Sequence, residues 1–275
     1  MPLFYRWNAP PFEVGQTEAV PESPLWCPRM DFVTAVQDHA CCESTHDLLC
    51  DMRDLTDLFI AHNAASDAVE DIDAYVQDAR RRSASTEYDK KLFEMRARLA
   101  SLPSARLPGL PTTNNWVYEA CRMASIIYAS AIIMRVPLSL AAEPGRNIIM
   151  RDIMSLEGSF ESSQAFTPRL TETLYEVMEK TNIGDLWNNM SGVFYWVVTV
   201  GAAAARTPVN IDMYSRPNCA SDAYATWVRR CMIMFSARAM ILILFAHPLP
   251  LILSQKKLLK VQELLGSGSS RTLHS

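Results

Sequence analysis

From Val193 to Val200 every residue but Thr199 is apolar, and Gly201 to Ala205 are all small. A helix with no polar face has to be covered on all sides, so this pattern predicts a buried central helix over Met190 to Ala205. Its 16 residues, at about 1.5 Å each, fall short of a bilayer core of about 30 Å, and a helical bundle accommodates the helix better than a membrane. Arg206 ends the run where a cation suits the helix dipole, and Pro208 stops it. Trp116 to Val136, bounded by Pro137, is apolar on most faces as well. The small residues Gly201 to Ala205 would let these two helices pack closely.

The remaining elements follow from periodicity and breakers. Six prolines in residues 1–30 exclude a regular element there; Leu3, Phe4, Tyr5, Trp7, Phe12 and Trp26 suit an extended arm laid on the domain surface. A short helix is expected from Asp31 to Cys41 or Cys42. Ser44 is the expected N-cap of the next, with Asp47 in its first turn, and Leu48, Met52, Leu55 and Phe59 share one helical face. A second acidic helix covers Asp67 to Arg82, broken by Ser83 to Thr86, and another covers Glu87 to Leu102. Pro103, Pro108, Gly109 and Pro111 form a linker between this polar part and an apolar-rich part. Beyond it come a helix from Arg146 to Leu156, a polar loop through Ser162 and Ser163, and a helix capped at Thr167-Pro168 with Gly184 as its C-terminal glycine. A helix from Asp222 to Phe245, closed by Pro248 and Pro250, precedes a last one starting near Ser254. Residues 266–275 have linker composition and are expected to be disordered. No alternation long enough for a strand occurs. The expected fold is all-α, an irregular multi-helix bundle around a buried central helix. It comprises an arm (1–30), a helical domain (31–265, polar in 31–102 and an apolar core in 116–265) and a tail (266–275).

Composition narrows the function classes. A net charge of −4 gives no electrostatic case for nucleic acid or an anionic membrane. Seven irregularly spaced cysteines do not resemble a secreted disulfide framework and fit a reducing compartment. No basic region followed by an apolar run opens the chain, so no signal peptide is expected.

Four segments resemble the regulatory domain of fungal-specific transcription factors of the zinc-cluster class. WVYEACRMASIIYASAI (Trp116 to Ile132) is similar to that domain's aromatic-x-Tyr-Glu-Ala-Cys-Arg helix, and GVFYWVVTVGAAAARTP (Gly192 to Pro208) to its tryptophan-rich helix ending in small residues and Arg. LLCDMRDLTDLF (Leu48 to Phe59) resembles its D-x-R-x-L-T-D-L helix, and LLKVQELL (Leu258 to Leu265) its closing helix. The four occur in the family's order. Those factors bind DNA through six cysteines around two zinc ions with paired Cys-x-x-Cys spacings. Here the cysteines are Cys27, Cys41, Cys42, Cys50, Cys121, Cys219 and Cys231, with no Cys-x-x-Cys. The resemblance therefore implies a regulatory domain without the zinc cluster, working by protein contact or effector sensing in the nucleus or cytoplasm. It implies no direct, specific DNA binding.

Each chemical motif has a plainer reading beside it. His39, Cys42, His46 and Cys50 would share a helical face, but the outer two would lie about 16 Å apart along the axis, too far for one tetrahedral zinc. They read better as small core thiols and their neighbours, and no metal is expected. No nucleophile elbow or nucleotide-binding glycine loop is present, so no catalytic residue and no cofactor is assigned. Arg80 to Arg82 before Ser83 are expected to be a solvated helix C-terminus, with a basic-directed kinase site, Ser83 its candidate phosphosite, as the alternative. Cys231 to Leu253 is the strongest membrane candidate, yet Arg238 interrupts it and Pro248 and Pro250 break its end; a buried helix is the expected reading, with an exposed partner-binding face as the alternative. Glu119 and Arg122, three apart on an apolar helix, either pair with each other or leave Arg122, with Arg206, to meet an anionic small-molecule effector in a cavity. Structural pairing is the simpler reading. A free-standing helical scaffold protein and an enzyme on a helical framework are the rival functions, and the sequence does not set the oligomeric state.

Overall fold

The computed structural model describes residues 20–29, 31–67, 74–156, 168–206 and 219–271, with 65–67, 74–84, 219–222 and 267–271 described in backbone only. These form an all-α bundle: α1 (Glu43–Asp67), α2 (Ala74–Ser101), α3 (Trp116–Met134), α4 (Leu138–Ala141), α5 (Ile148–Leu156), α6 (Leu170–Met178), α7 (Ser191–Ala204), α8 (Cys219–Ala246) and α9 (Pro248–Arg271). No strand occurs among the described residues; an isolated bridge joins Ser23 and Trp26.

The expected central helix is α7, buried from Gly192 to Val198, and α3 shares the centre with it. The Asn115 side chain accepts the Tyr118 N–H (3.0 Å) and so caps α3. At the other end Arg135 turns into the left-handed region (φ 53°) two residues before Pro137. Between these points α3 is sheathed by α1, α2, α4, α5, α6 and α7. By length and composition α3 could cross a membrane, but 83% of its apolar window is buried inside the protein. The expected Cys231 to Leu253 run is divided between α8 and α9.

The two central helices do touch, though Gly201 is not where they meet. Trp196 of α7 meets Tyr128 of α3 edge-on, with ring centroids 5.9 Å apart. A Cβ on Gly201 would instead lie 2.9 Å from Met232 Cε of α8 and 3.1 Å from Leu174 Cδ2 of α6. Trp196 of α7 faces α3, and Gly201 admits α8 and α6. The second close approach involves Gly192. A Cβ there would lie 2.5 Å from the Pro21 carbonyl carbon, and nearer still to the Glu22 carbonyl oxygen. The described part of the arm is thus seated in the bundle, with Glu22, Ser23 and Leu25 buried.

Several boundaries differ from the sequence pattern. The helix expected from Asp31 is a single 3-10 turn at Ala35–Gln37, because side chains take its backbone groups: the Glu22 carboxylate accepts the N–H of Thr34 (2.8 Å) and of Ala35 (3.3 Å), and Asp38 accepts that of Ala40 (2.9 Å). Ser44 lies inside α1 and does not cap it; the Cys42 carbonyl already accepts from Thr45 (2.9 Å) and His46 (3.0 Å). Ser83 to Thr86 do not break α2, which contains neither glycine nor proline. Thr167 lies outside the described residues; α6 begins at Leu170, where the Arg169 N–H donates to the Glu172 carboxylate (3.3 Å). Gly184 is not its cap, since α6 ends at Met178. That glycine sits in a turn closed by Asn182 (3.1 Å), and its carbonyl accepts from Arg238 of α8 (2.8 Å). Pro248 and Pro250 open α9, in the first turn where no N–H is required. The α9 backbone stays helical to Arg271, past the Gly266 where disorder is expected, carried on by the docked Leu258, Val261, Leu264 and Leu265. The loops through Ser162 and Ser163 and through Pro208 and Pro217, and residues 272–275, lie outside the described residues.

The linker after α2 does not separate the two parts physically. One hydrophobic cluster runs from Leu48 of α1 to Leu265 of α9. The Thr56 hydroxyl lies 2.9 Å from that of Tyr128, and Lys257 pairs with Asp57.

Candidate functional site

The Glu119–Arg122 pair is bidentate: Arg122 Nε reaches one carboxylate oxygen at 2.9 Å and an Nη reaches the other at 2.8 Å. The two residues are 2% and 7% exposed, buried enough that an unmatched charge would be costly. The carboxylate also accepts from Ser104 Oγ (3.0 Å) and the Ala105 N–H (2.9 Å), and the Tyr118 hydroxyl donates to the Pro103 carbonyl (2.9 Å). The Tyr-Glu-x-x-Arg segment is therefore a clasp that ties the proline-rich linker to α3. Burial alone would raise the Glu119 pKa; its hydrogen bonds to Arg122, Ala105 and Ser104 outweigh burial and hold it below the ordinary carboxylate value.

The expected grouping of Arg122 with Arg206 does not form. Arg206, just beyond the C-terminus of α7, lines a groove of about 350 Å³ between α7, α8 and α9. It also lines an adjoining cavity of about 180 Å³ against Pro137 and Leu138. Neither cavity includes Glu119 or Arg122. The larger groove brings in residues the sequence reading left aside: Arg229 from α8, Gln262 from α9, and Tyr195 and Thr199 from α7. Their spacings carried a signal, since Tyr195 and Thr199, and Gln255 and Gln262, each fall on one helical face. Nothing local says that those two faces meet.

The histidine and cysteine set is also divided. His46 Nε2 lies 3.0 Å from the Asp31 carboxylate and 3.7 Å from Cys50 Sγ, while His39 is exposed beside Asp38. The hydrogen bond from His46 holds Asp31 below its ordinary carboxylate range. Among the described residues no three metal-ligating side chains converge. Burial pushes the thiols of Cys27, Cys50 and Cys121 up, and that of Cys41 to about 12. Such thiols stay protonated at neutral pH and make poor nucleophiles.

Arg80 to Arg82 and Ser83 fall inside α2, not at a helix end, so the dipole reading of those arginines does not apply; their side chains lie outside the described residues. The run from Cys231 to Leu253 is not the buried helix expected of it: large apolar side chains are exposed on both sides of the α8–α9 turn. Ile241, Leu242, Leu244, Leu249, Ile252 and Leu253 are exposed around Phe245, which is 85% exposed. From Ala239 to Gln255 the chain has no Asp, Glu, Lys or Arg. No protein-family model, curated protein or solved structure matches this chain.

Proposed function

We propose that this chain is a regulatory domain that acts by protein contact, of the kind its resemblance to the regulatory domain of fungal zinc-cluster transcription factors implies. The observation that carries the reading is the apolar tip of the α8–α9 hairpin. Soluble proteins seldom leave contiguous apolar patches of this kind uncovered unless they dock something. Its occupant is a second copy of the chain. With no charged residue between Ala239 and Gln255, two tips meet without like-charge repulsion, and two antiparallel hairpins related by a two-fold axis pack as a four-helix contact. The regulatory role itself, and a nuclear place of action, rest on the resemblance.

Two measurements test the two parts separately. Light scattering with size exclusion should give a dimer for the parent chain and a monomer for Phe245→Glu/Leu249→Glu, with unchanged helical content. A parent chain that stays monomeric at tens of micromolar removes the dimer contact. Separately, the chain fused to a heterologous DNA-binding module should shift reporter output, and the double variant should not. A fused parent with no effect on the reporter would favour the free-standing scaffold reading.

A further inference from the structure

We propose that the groove between α7, α8 and α9 binds a small amphipathic carboxylate, with its acid group on Arg206 and Arg229 and its chain along Ala202, Ile233 and Leu258. This site is independent of the hairpin tip. The groove of about 350 Å³ lies in the size range of small-molecule sites, roughly 300–1,000 Å³. Its floor is the small face of α7 at Ala202 and Ala203, and its walls are Ile233 of α8 with Leu258 and Leu259 of α9. Arg206 and Arg229, both exposed, line the groove beside these apolar walls. Neither Arg206 nor Arg229 has an ion pair or hydrogen bond to any described residue, and the amide of Gln262, which lines both adjoining cavities, has none either. Gln255 is already engaged: its Nε2 lies 3.2 Å from the Tyr195 hydroxyl and 3.3 Å from Met240 Sδ, so it holds the wall in place. The Tyr195 oxygen accepts that bond and keeps its own proton to donate. Planar guanidinium forks match a carboxylate. A bare inorganic anion would leave the apolar walls in water, and a neutral chain would forgo the charge-assisted contacts to both arginines.

Titration calorimetry with sodium decanoate, below its micellar range, tests the site, with decanol and inorganic phosphate as the two half-ligands. The parent chain should bind decanoate saturably, one per chain, and each half-ligand about tenfold or more weakly, the scale of one lost charge-assisted interaction. Arg206→Gln/Arg229→Gln should lose binding by about a hundredfold, and Ala203→Phe, which fills the trough, should also lose it. Arg230→Gln, beside the site but not lining it, and Phe245→Glu, at the hairpin tip, should bind like the parent. Thermal melts check that each variant folds. The proposal is overturned if decanoate does not saturate, if the double arginine variant binds it as well as the parent, or if either half-ligand matches it.

Discussion

Gly192 and Gly201 sit on one helix, yet substitutions there should behave differently. At Gly192 the added methyl meets the backbone of Pro21 and Glu22, which cannot move without unseating the arm. Gly192→Ala should cost on the order of 1–3 kcal/mol, the usual penalty for overpacking. At Gly201 the methyl meets the far end of Met232, a flexible side chain, while alanine gains about 1 kcal/mol of helix propensity. Gly201→Ala should fall near neutral, and Gly201→Leu should clash with both Met232 and Leu174. Thermal melts compare them; a neutral Gly192→Ala would mean that the arm is not seated there.

Glu119 makes a second case at this scale. Removing its charge leaves Arg122 buried and unmatched, and Glu119→Gln should cost about 3–5 kcal/mol at neutral pH. The sign of the pH dependence follows from the lowered pKa. A carboxyl whose folded value lies below its unfolded one adds stability that is complete above about pH 4.5, its ordinary value, and lost as pH falls through the folded value. The variant lacks that contribution, so its deficit should shrink as denaturation is measured below pH 4.5. A deficit constant down to pH 2 would show that the ionised carboxylate is not what the clasp uses.

Among the elements, α2 stands apart. In its described side chains only Tyr88, Leu92, Met95, Leu99 and Ala100 are buried, with exposed polar residues between them. In contrast, α3 is buried from Tyr118 to Ile132. Helix α1 lies between these cases, its Leu48, Leu49, Met52, Leu55 and Phe59 all buried and packed toward α3 and α9. Local opening costs least where least apolar surface is lost to water. Amide exchange should be fastest in α2, intermediate in α1 and slowest in α3 and α7. Uniform protection across all four would make the bundle one cooperative unit.

For the whole molecule, charge bears on what it can bind. Acidic residues outnumber Lys and Arg by 30 to 26. Arg80 to Arg82 lie on α2, Arg229 and Arg230 on α8, and Lys256 and Lys257 on α9, where Lys257 is occupied by Asp57. Sequence readout of duplex DNA needs both a groove-entering element and a basic surface. Binding by the isolated chain should be weak, indifferent to sequence and steeply lost with salt. Fluorescence anisotropy against random duplexes at near-physiological salt checks this, and sub-micromolar selection of one sequence would reverse it.

The sequence by itself determined the all-α class, the buried central helix and the closeness of Glu119 to Arg122, because 3.6-residue periodicity and i,i+3 spacing are local properties of one helix. It determined the uncharged run around the α8–α9 turn for the same reason. It misplaced the breaks at Ser83 to Thr86 and Gly266, where local propensity is weak and the helix on the C-terminal or N-terminal side carries the backbone on. Only the tertiary structure decided that Gly192 receives the arm, that Gly201 receives Met232 of α8 and Leu174 of α6, and that Glu119 clasps the linker. It alone put Arg206 with Arg229 and Gln262, residues up to 56 positions apart. Their meeting depends on how α8 and α9 lie against α7, and that is written in no single segment.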